Sequence, residues 1–180
     1  MKQGLTAALN RFNNITTIVV TSLALAFGLT ACSRYQMTFN ETVMYSPQGL
    51  LTDFTTEDPN LRNCLDQMIK DGNFTTFAEV TRLICSHAGL TSLKGLEAFT
   101  NLREINLENN QISSITPLQH LSKLEVVILN DNHLVQVPEL LTLPALKEVK
   151  LENNPVLECG DLHQLQQNSS SKLQLPGQCR

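Results

Sequence analysis

Apolar side chains recur at a period of 22 residues through the second half of the chain. The recurring pattern is Leu-x-x-Leu-x-Leu-x-x-Asn-x-Leu, in which valine and isoleucine also occupy the leucine positions. A degenerate earlier copy begins at Val80 and has Ala88 where the asparagine is expected. The full copies comprise Leu102, Ile105, Leu107, Asn110 and Ile112; Leu124, Val127, Leu129, Asn132 and Leu134; and Leu146, Val149, Leu151, Asn154 and Val156. A fixed period of this length indicates stacked structural repeats.

The spacing within each copy predicts one short strand and one return segment per repeat. Leu-x-Leu directs two side chains to one face of a strand, while the residue between them points to the other face. A single repeat cannot bury its own leucines, so the core exists only when repeats stack. The asparagine amide can pair with backbone groups that a tight coil would otherwise bury unpaired. Pro117, Pro138 and Pro144 lie in the returns and favour 3₁₀ turns and extended chain there.

This pattern resembles the leucine-rich repeat family, specifically the 22-residue kind seen in bacterial surface and exported proteins. The resemblance covers residues 80–157. It implies an α/β fold, namely a short right-handed solenoid of about four rungs with parallel strands on its concave face and 3₁₀ or extended returns. Exposed leucines at two open ends would drive aggregation, so helical caps are expected at both ends.

Residues 58–79 have the signals of an N-terminal cap. Asp58 and Pro59 are typical of a helix N-cap and first turn, and Gly72 is a plausible stop. Thr76-Phe77-Ala78-Glu79 has the spacing of a capping box that opens a second short turn. The residues at helical apolar spacing are Leu61, Leu65, Met68 and Ile69. A helix followed by a short turn is therefore predicted before the first repeat.

Residues 158–180 are predicted to cap the other end of the repeats. Within this segment, residues 161–167 predict a final helix. Leu162 and Leu165 are then directed at the end of the core.

The N-terminal residues 1–31 have the layout of a secretory signal peptide. Lys2 and Arg11 precede a mostly apolar stretch, residues 15–29, which is followed by small residues. This stretch is shorter than the roughly 20 residues that a membrane-spanning helix needs. Its end, Leu29-Thr30-Ala31-Cys32, resembles the bacterial lipobox, which implies that Cys32 is acylated and becomes the first residue after cleavage. The alternative is an ordinary signal peptide followed by an incidental cysteine.

Residues 32–57 are interpreted as a tether that contains a possible β-hairpin. The segment from Met37 to Tyr45 has enough β-formers for a strand or a small hairpin turning at Asn40-Glu41, and residues 46–49 break it. This region either packs onto the N-terminal cap or serves only as a link from the membrane. The sequence does not decide between these two roles.

The formal net charge of −4 excludes some classes of partner. Removal of a signal peptide that carries two cations and no acid would make the remainder more acidic still. An acidic chain offers no electrostatic attraction to nucleic acid or anionic lipid headgroups. The chain has no tryptophan, so stacking platforms for bases are not expected either. We therefore expect no nucleic-acid partner.

Four cysteines remain besides Cys32, and an even number in an exported chain suggests two disulfides. We favour Cys64–Cys85 and Cys159–Cys179, because either other connectivity would join opposite ends of the solenoid. The resemblance to exported leucine-rich repeat domains, which commonly carry disulfide-closed caps, favours the same pairing. Free structural thiols are one alternative. A metal site is disfavoured, because no Cys-x-x-Cys or clustered histidine spacing is present.

No catalytic motif accompanies the repeats. The four histidines are scattered, and Ser86 and His87 are only neighbours on a strand whose side chains point to opposite faces. Glycine-rich phosphate loops, nucleophile elbows and framed carboxylate pairs are absent from the sequence. We therefore expect neither an enzyme nor a cofactor.

In leucine-rich repeats the variable strand positions form columns on the concave face, and the resemblance implies a partner site there. Val126 and Ile128, flanked by Ile84, would make an apolar patch ringed by glutamates if they are contiguous. The alternative is that β-branched residues merely suit a strand and contact each other across rungs. Beside these columns, a rim holds His87, Asn109, Asp131 and Asn153. The predicted partner-binding residues are Ile84, Glu104, Asn106, Glu108, Val126, Ile128, Asn130, Glu148, Lys150 and Glu152.

These features predict a membrane-anchored, periplasm-facing module that binds a protein or peptide without catalysis. Two alternatives are a structural envelope lipoprotein packed into a larger assembly and an accessory or inhibitory subunit of an envelope enzyme. Ser33 follows the predicted acylated cysteine. By the sorting rule of Gram-negative lipoproteins, in which aspartate at that position retains a protein at the inner membrane, serine suggests the outer membrane.

Overall fold

A computed structural model describes residues 37–39, 42–45, 49–168 and 171–180, and the chain divides into two compact units between Gln48 and Gly49. In the first unit, strands β1 (Met37–Phe39) and β2 (Thr42–Tyr45) pair antiparallel. These are the β-formers that predict a hairpin. The proposed turn at Asn40-Glu41, the signal segment 1–31 and Cys32 lie outside the described residues.

The second unit is built on a parallel sheet whose strands follow the 22-residue period. Successive strands pair in register, so that Leu83, Ile105, Val127 and Val149 lie in one row across the first rungs. The strands in spatial order are β3 (Arg82–Ile84), β4 (Glu104–Asn106), β5 (Val126–Ile128), β6 (Glu148–Lys150) and β7 (Lys172–Gln174). This arrangement confirms the predicted short leucine-rich repeat solenoid.

Strand β7 was not predicted, and it adds a fifth rung from within the C-terminal cap. It pairs parallel with β6, where Lys172 donates its N–H to the carbonyl of Lys147 at 2.7 Å. The carbonyl of Gln174 accepts from the N–H of Leu151 at 2.8 Å. Leu173 and Leu175 have the Leu-x-Leu spacing of a repeat strand, but they lie off the 22-residue period and no ladder asparagine follows, so the sequence did not predict a further repeat here. Its position covers the edge of the last true repeat.

Alternation along each strand divides the core from the surface. In β4, β5 and β6 the middle residue is buried and its two neighbours are half-buried, and the same alternation holds for β3 with exposed neighbours. Leu107, Leu129 and Leu151 follow their strands and are fully buried at the inward positions that the pattern predicts. Each such side chain stabilises the fold by roughly 1.5–3 kcal/mol through removal from water.

The repeat asparagines form a buried ladder that ties each rung to the one before it. Asn132 accepts the N–H of Ile112 at 3.0 Å and donates to the carbonyls of Leu107 and Leu129 at 3.0 and 3.2 Å. Asn110 and Asn154 bond in the same way, one rung before and one rung after. The expectation that these amides satisfy backbone groups inside the coil is confirmed.

The return segments are 3₁₀ turns, as the prolines predict. They span Leu96–Ala98, Thr116–His120 and Pro138–Thr142, with a proline at the start of the last two. Each turn buries one leucine from the return side of the core, namely Leu96, Leu118 and Leu140.

Helix α1 (Pro59–Gly72) covers the first rung, and its buried residues are Leu61, Leu65 and Ile69. Asp58 is its N-cap, and the helix ends where Asn73 adopts a left-handed conformation. The predicted capping box between Thr76 and Glu79 is also present.

Helix α2 (Gly160–Asn168) closes the other end of the repeats. It buries Leu162 and Leu165, which confirms the orientation that the sequence predicts for this helix.

Residues 49–57 belong to the folded unit and pack beside α1. Leu51 and Phe54 are buried, and Phe54 makes an edge-to-face contact with Phe99 at 5.5 Å between ring centroids. The guanidinium of Arg62 lies over the Phe54 ring at 3.9 Å. This stretch of the predicted tether therefore packs against the N-terminal cap.

Candidate partner-binding face

The register of the sheet places the predicted partner residues in columns on the side that faces away from the core. This is the side that the sequence predicts to be concave, and we call it the outer sheet face. The first column is Arg82, Glu104, Val126, Glu148 and Lys172; the second is Ile84, Asn106, Ile128, Lys150 and Gln174. The third column is Ser86, Glu108, Asn130 and Glu152. The parallel pairing continues beyond the strands here, because the carbonyls of Glu108, Asn130 and Glu152 each accept from the preceding rung at 2.9–3.0 Å.

Most charged side chains of this face pair with one another. Arg82 contacts Glu104 at 2.7 Å, Lys150 contacts Glu148 at 3.3 Å, and Arg180 contacts Glu152 at 2.6 Å. Exposed ion pairs of this kind contribute roughly 0–1 kcal/mol each to stability. Their main effect is to neutralise three of the four glutamates that the sequence placed around the apolar patch.

The apolar residues of this face fall into two groups. Val126 and Ile128 are half-buried neighbours on β5. Ile84 is 55% exposed and is separated from Ile128 by Asn106, which occupies the rung between them. The three residues therefore share the face, but a polar side chain interrupts the patch that the sequence suggested.

Ile84 instead lies in a groove between helix α1 and strand β3. This groove has a volume of about 760 Å³, and its apolar lining includes Met68, Phe74 and Ala88. The sequence assigned Met68 to the cap helix without predicting that it would line an open groove beside the sheet.

The rim of the face is a row of residues in the left-handed backbone region. His87, Asn109, Asp131 and Asn153 have φ between 55° and 57°. Asparagine, aspartate and histidine tolerate this region better than most residues, which explains their recurrence at this position. The side-chain amide of Asn153 also donates to the carboxylate of Asp131 at 2.8 Å. The sequence placed these residues on a rim but did not predict their backbone conformation.

A second charged row precedes the strands, and sequence reasoning missed it. Glu125 lies between Lys147 at 2.5 Å and Arg103 at 2.7 Å. Hydrogen bonds from Lys147 and Arg103 lower the pKa of Glu125 below its usual value. The available signal was the spacing of 22 residues between opposite charges, which places them on adjacent rungs.

The two disulfides follow the favoured pairing and lie at the two ends of the sheet. Cys64 of α1 is bonded to Cys85, which follows β3, with 5.9 Å between their Cα atoms. Cys159 and Cys179 are bonded within the C-terminal cap, with a Cα distance of 5.3 Å. In the chain-entropy model, cross-links of this length contribute roughly 3 kcal/mol each, so both caps are covalently held.

Within the described residues, no group of three or more histidine, cysteine, aspartate or glutamate side chains could hold a metal ion. Over the same part of the chain, no helix is long and apolar enough to cross a membrane.

Comparison with known proteins agrees with this architecture. A family model described as leucine-rich repeats (2 copies) matches residues 79–120. Together with the five-stranded parallel sheet, this match shows that the chain carries a leucine-rich repeat fold. No curated protein sequence matches the chain.

Two solved structures from Listeria monocytogenes are similar to the chain. One is an internalin (inlF), with a TM-score of 0.56 and 24% identity over 67% of this chain and 36% of that one. The other is internalin C2 (inlC2), with a TM-score of 0.53 and 24% identity over 66% of this chain and 53% of that one. This chain therefore spans about a third of the first crystallised protein and about half of the second. At this identity the likeness shows the fold alone.

Proposed function

We propose that this chain is an extracytoplasmic, non-catalytic leucine-rich repeat module that binds a protein or peptide on its outer sheet face. Leucine-rich repeat domains generally bind protein partners, and this general role is consistent with the fold described here. The two disulfides support a location in an oxidising compartment. The predicted partner residues on the face are Glu104, Asn106, Glu108, Asn130, Glu148, Lys150 and Glu152, together with Ile84, Val126 and Ile128.

The observation that carries this proposal is the presence of apolar side chains on the solvent side of the sheet. Val126 and Ile128 project from β5 away from the core, and Ile84 is more than half exposed. Val126 and Ile128 lie on the middle strand with polar or charged residues on both neighbouring strands, and apolar groups set in a polar surface are typical of binding sites. A polar rim surrounds them on this face.

The test compares affinity capture from membranes by wild-type protein and by Ile128→Glu. We expect Ile128→Glu to melt close to wild type, because the new carboxylate meets water in the free protein, and to lose the captured partner. Val156→Glu is the matched control, because Val156 lies outside the columns and is 56% exposed. The repeat pattern placed Val156 at an inward position, but the neighbouring Leu157 is buried there instead. Leu129→Glu should unfold the protein, because it places an unpaired charge in the core. Normal capture by folded Ile128→Glu would contradict the proposal.

We further propose that Cys32 is acylated and anchors the module to a membrane, with the outer membrane favoured by Ser33. Support comes from the resemblance of residues 29–32 to the lipobox and from the signal-peptide layout of residues 1–31. Two or more acyl chains hold a protein durably on a bilayer, since each buried methylene contributes roughly 0.8 kcal/mol.

Metabolic labelling with a palmitate analogue tests this anchor. Wild-type protein should incorporate the label and sediment with membranes. Cys32→Ala should remain folded, lose the label and stay in the soluble fraction. Equal labelling of both proteins would refute acylation at Cys32.

A further inference from the structure

Glu108 differs from the other glutamates of the outer sheet face because its carboxylate is uncompensated. Glu104, Glu148 and Glu152 each contact a cation. Within the described part of the chain, the carboxylate of Glu108 has neither an ion pair nor a hydrogen bond. It therefore gives the third column of this face a local negative charge that no internal cation balances.

The backbone of Glu108 is held firmly, so its side chain projects from a fixed position. Its N–H donates to the side-chain oxygen of Asn106 at 3.1 Å. Its carbonyl accepts from the N–H of His87 at 3.0 Å and from the amide of Asn110 at 3.3 Å. The side chain is half-buried on the second rung, between Ser86 and Asn130 in the third column. The fixed backbone sets the point from which the side chain projects, while the carboxylate itself stays available for a ligand.

Two apolar side chains flank this carboxylate diagonally. Ile84 lies one rung before Glu108 and Ile128 one rung after it, both in the neighbouring column. Strands stand about 4.8 Å apart and residues of one strand rise about 3.3 Å each, so each isoleucine Cα is roughly 8 Å from that of Glu108. The face therefore presents two apolar groups in one column, separated by Asn106, with the acid of Glu108 beside them in the next column.

We propose that this face recognises a protein segment in which a lysine or arginine side chain lies between two apolar side chains. The cation pairs with Glu108, while the apolar groups contact Ile84 and Ile128. A purely apolar segment would bury the carboxylate without a partner, and an acidic segment would be repelled by it. Charge complementarity thus selects a basic, apolar partner. This inference rests on the proposed function, because it assumes that the outer sheet face is the binding site.

The experiment selects random peptides displayed on phage against immobilised full-length protein. We expect the recovered peptides to be enriched in lysine or arginine flanked by apolar residues. The affinity of the strongest peptide should fall at least about tenfold with Glu108→Gln and with Glu108→Ala, and should weaken as salt increases. Asp53→Asn is the matched control, because it removes an exposed acid outside the sheet and should leave the affinity within about twofold.

Three outcomes would overturn the inference: no selected peptides, peptides without basic enrichment, or equal affinity for wild type and folded Glu108→Gln. Ile128→Glu separates this inference from the proposed function. If Ile128→Glu abolishes peptide binding while Glu108→Gln leaves it unchanged, the face is the site but the basic partner is wrong. If neither substitution changes peptide binding, the outer sheet face is not the site and both proposals fail.

Discussion

At the scale of single residues, two asparagines of successive repeats, Asn132 and Asn153, have very different roles. Asn132 is 2% exposed and bonds backbone groups on two rungs. Asn153 is exposed, donates to Asp131 and has a φ of 57°. The 22-residue pattern identifies the first role, because the ladder position recurs at a fixed place. It does not reveal the second, because the left-handed conformation leaves only a loose preference for asparagine, aspartate or histidine.

We predict that Asn132→Ala destabilises the protein more than Asn153→Ala. The first change leaves several buried backbone groups unpaired, each at roughly 1–3 kcal/mol. The second forces alanine into a left-handed conformation, which costs roughly 1–2 kcal/mol. Asn153→Gly separates the causes, because glycine adopts this conformation freely and should recover most of the loss. Urea unfolding midpoints give the comparison, and equal shifts for both alanine variants would show that the assigned register is wrong.

At the scale of elements, Asp58 joins the N-terminal cap to the first repeat. One carboxylate oxygen accepts the N–H of Asn60 at 2.7 Å and thereby caps helix α1. The other accepts the N–H and hydroxyl of Thr91 at 2.6 and 2.9 Å, and the N–H of Ser92 at 3.2 Å. The sequence predicted the cap from its position before Pro59. The sequence could not predict the link to Thr91, because Asp58 and Thr91 are 33 positions apart and neither belongs to the repeat pattern.

The charge of Asp58 makes the free energy of unfolding depend on pH. Burial raises the pKa of Asp58, but hydrogen bonds from Thr91, Asn60 and Ser92 outweigh it, so the pKa in the folded protein lies below its usual value. A carboxyl with a depressed folded pKa stabilises the protein above its unfolded pKa, and this contribution is lost as pH falls through the folded pKa.

We therefore predict that Asp58→Asn destabilises the protein by about 2 kcal/mol at neutral pH. The difference from wild type should begin to shrink as the pH falls below about 4, where the carboxyl of the unfolded chain takes up its proton. It should vanish as the pH falls through the lower pKa of Asp58 in the folded protein. Thermal melts across this pH range provide the measurement, with Asp53→Asn as a control that lacks these bonds. A gap between Asp58→Asn and wild type that stays constant down to strong acid would contradict the role of the charge.

At the scale of the whole second unit, the sequence predicts the solenoid because each repeat encodes its own strand, turn and inward residues. Periodicity also separates Leu129 from Ile128, one facing the core and the other the outer sheet face. Features without periodicity were not predictable. Strand β7 keeps only the Leu-x-Leu spacing, off the 22-residue period and without the ladder asparagine. Leu51 and Phe54 are isolated apolar residues whose burial depends on the folded surface that they cover. The 22-residue period already predicts that Asn106 lies between Ile84 and Ile128 in one column, and the register of the sheet has this order.

Hydroxyl-radical footprinting of side chains tests the central claim, binding on the outer sheet face, most directly. The protein is oxidised alone and with the partner recovered by affinity capture, and the labelling of each apolar side chain is compared. We expect Ile84, Val126 and Ile128 to lose reactivity in the complex, while Val135 and Val156, exposed by 44% and 56%, keep theirs. Protection of Val135 and Val156 with unchanged labelling of Ile84, Val126 and Ile128 would place the partner elsewhere and contradict the account.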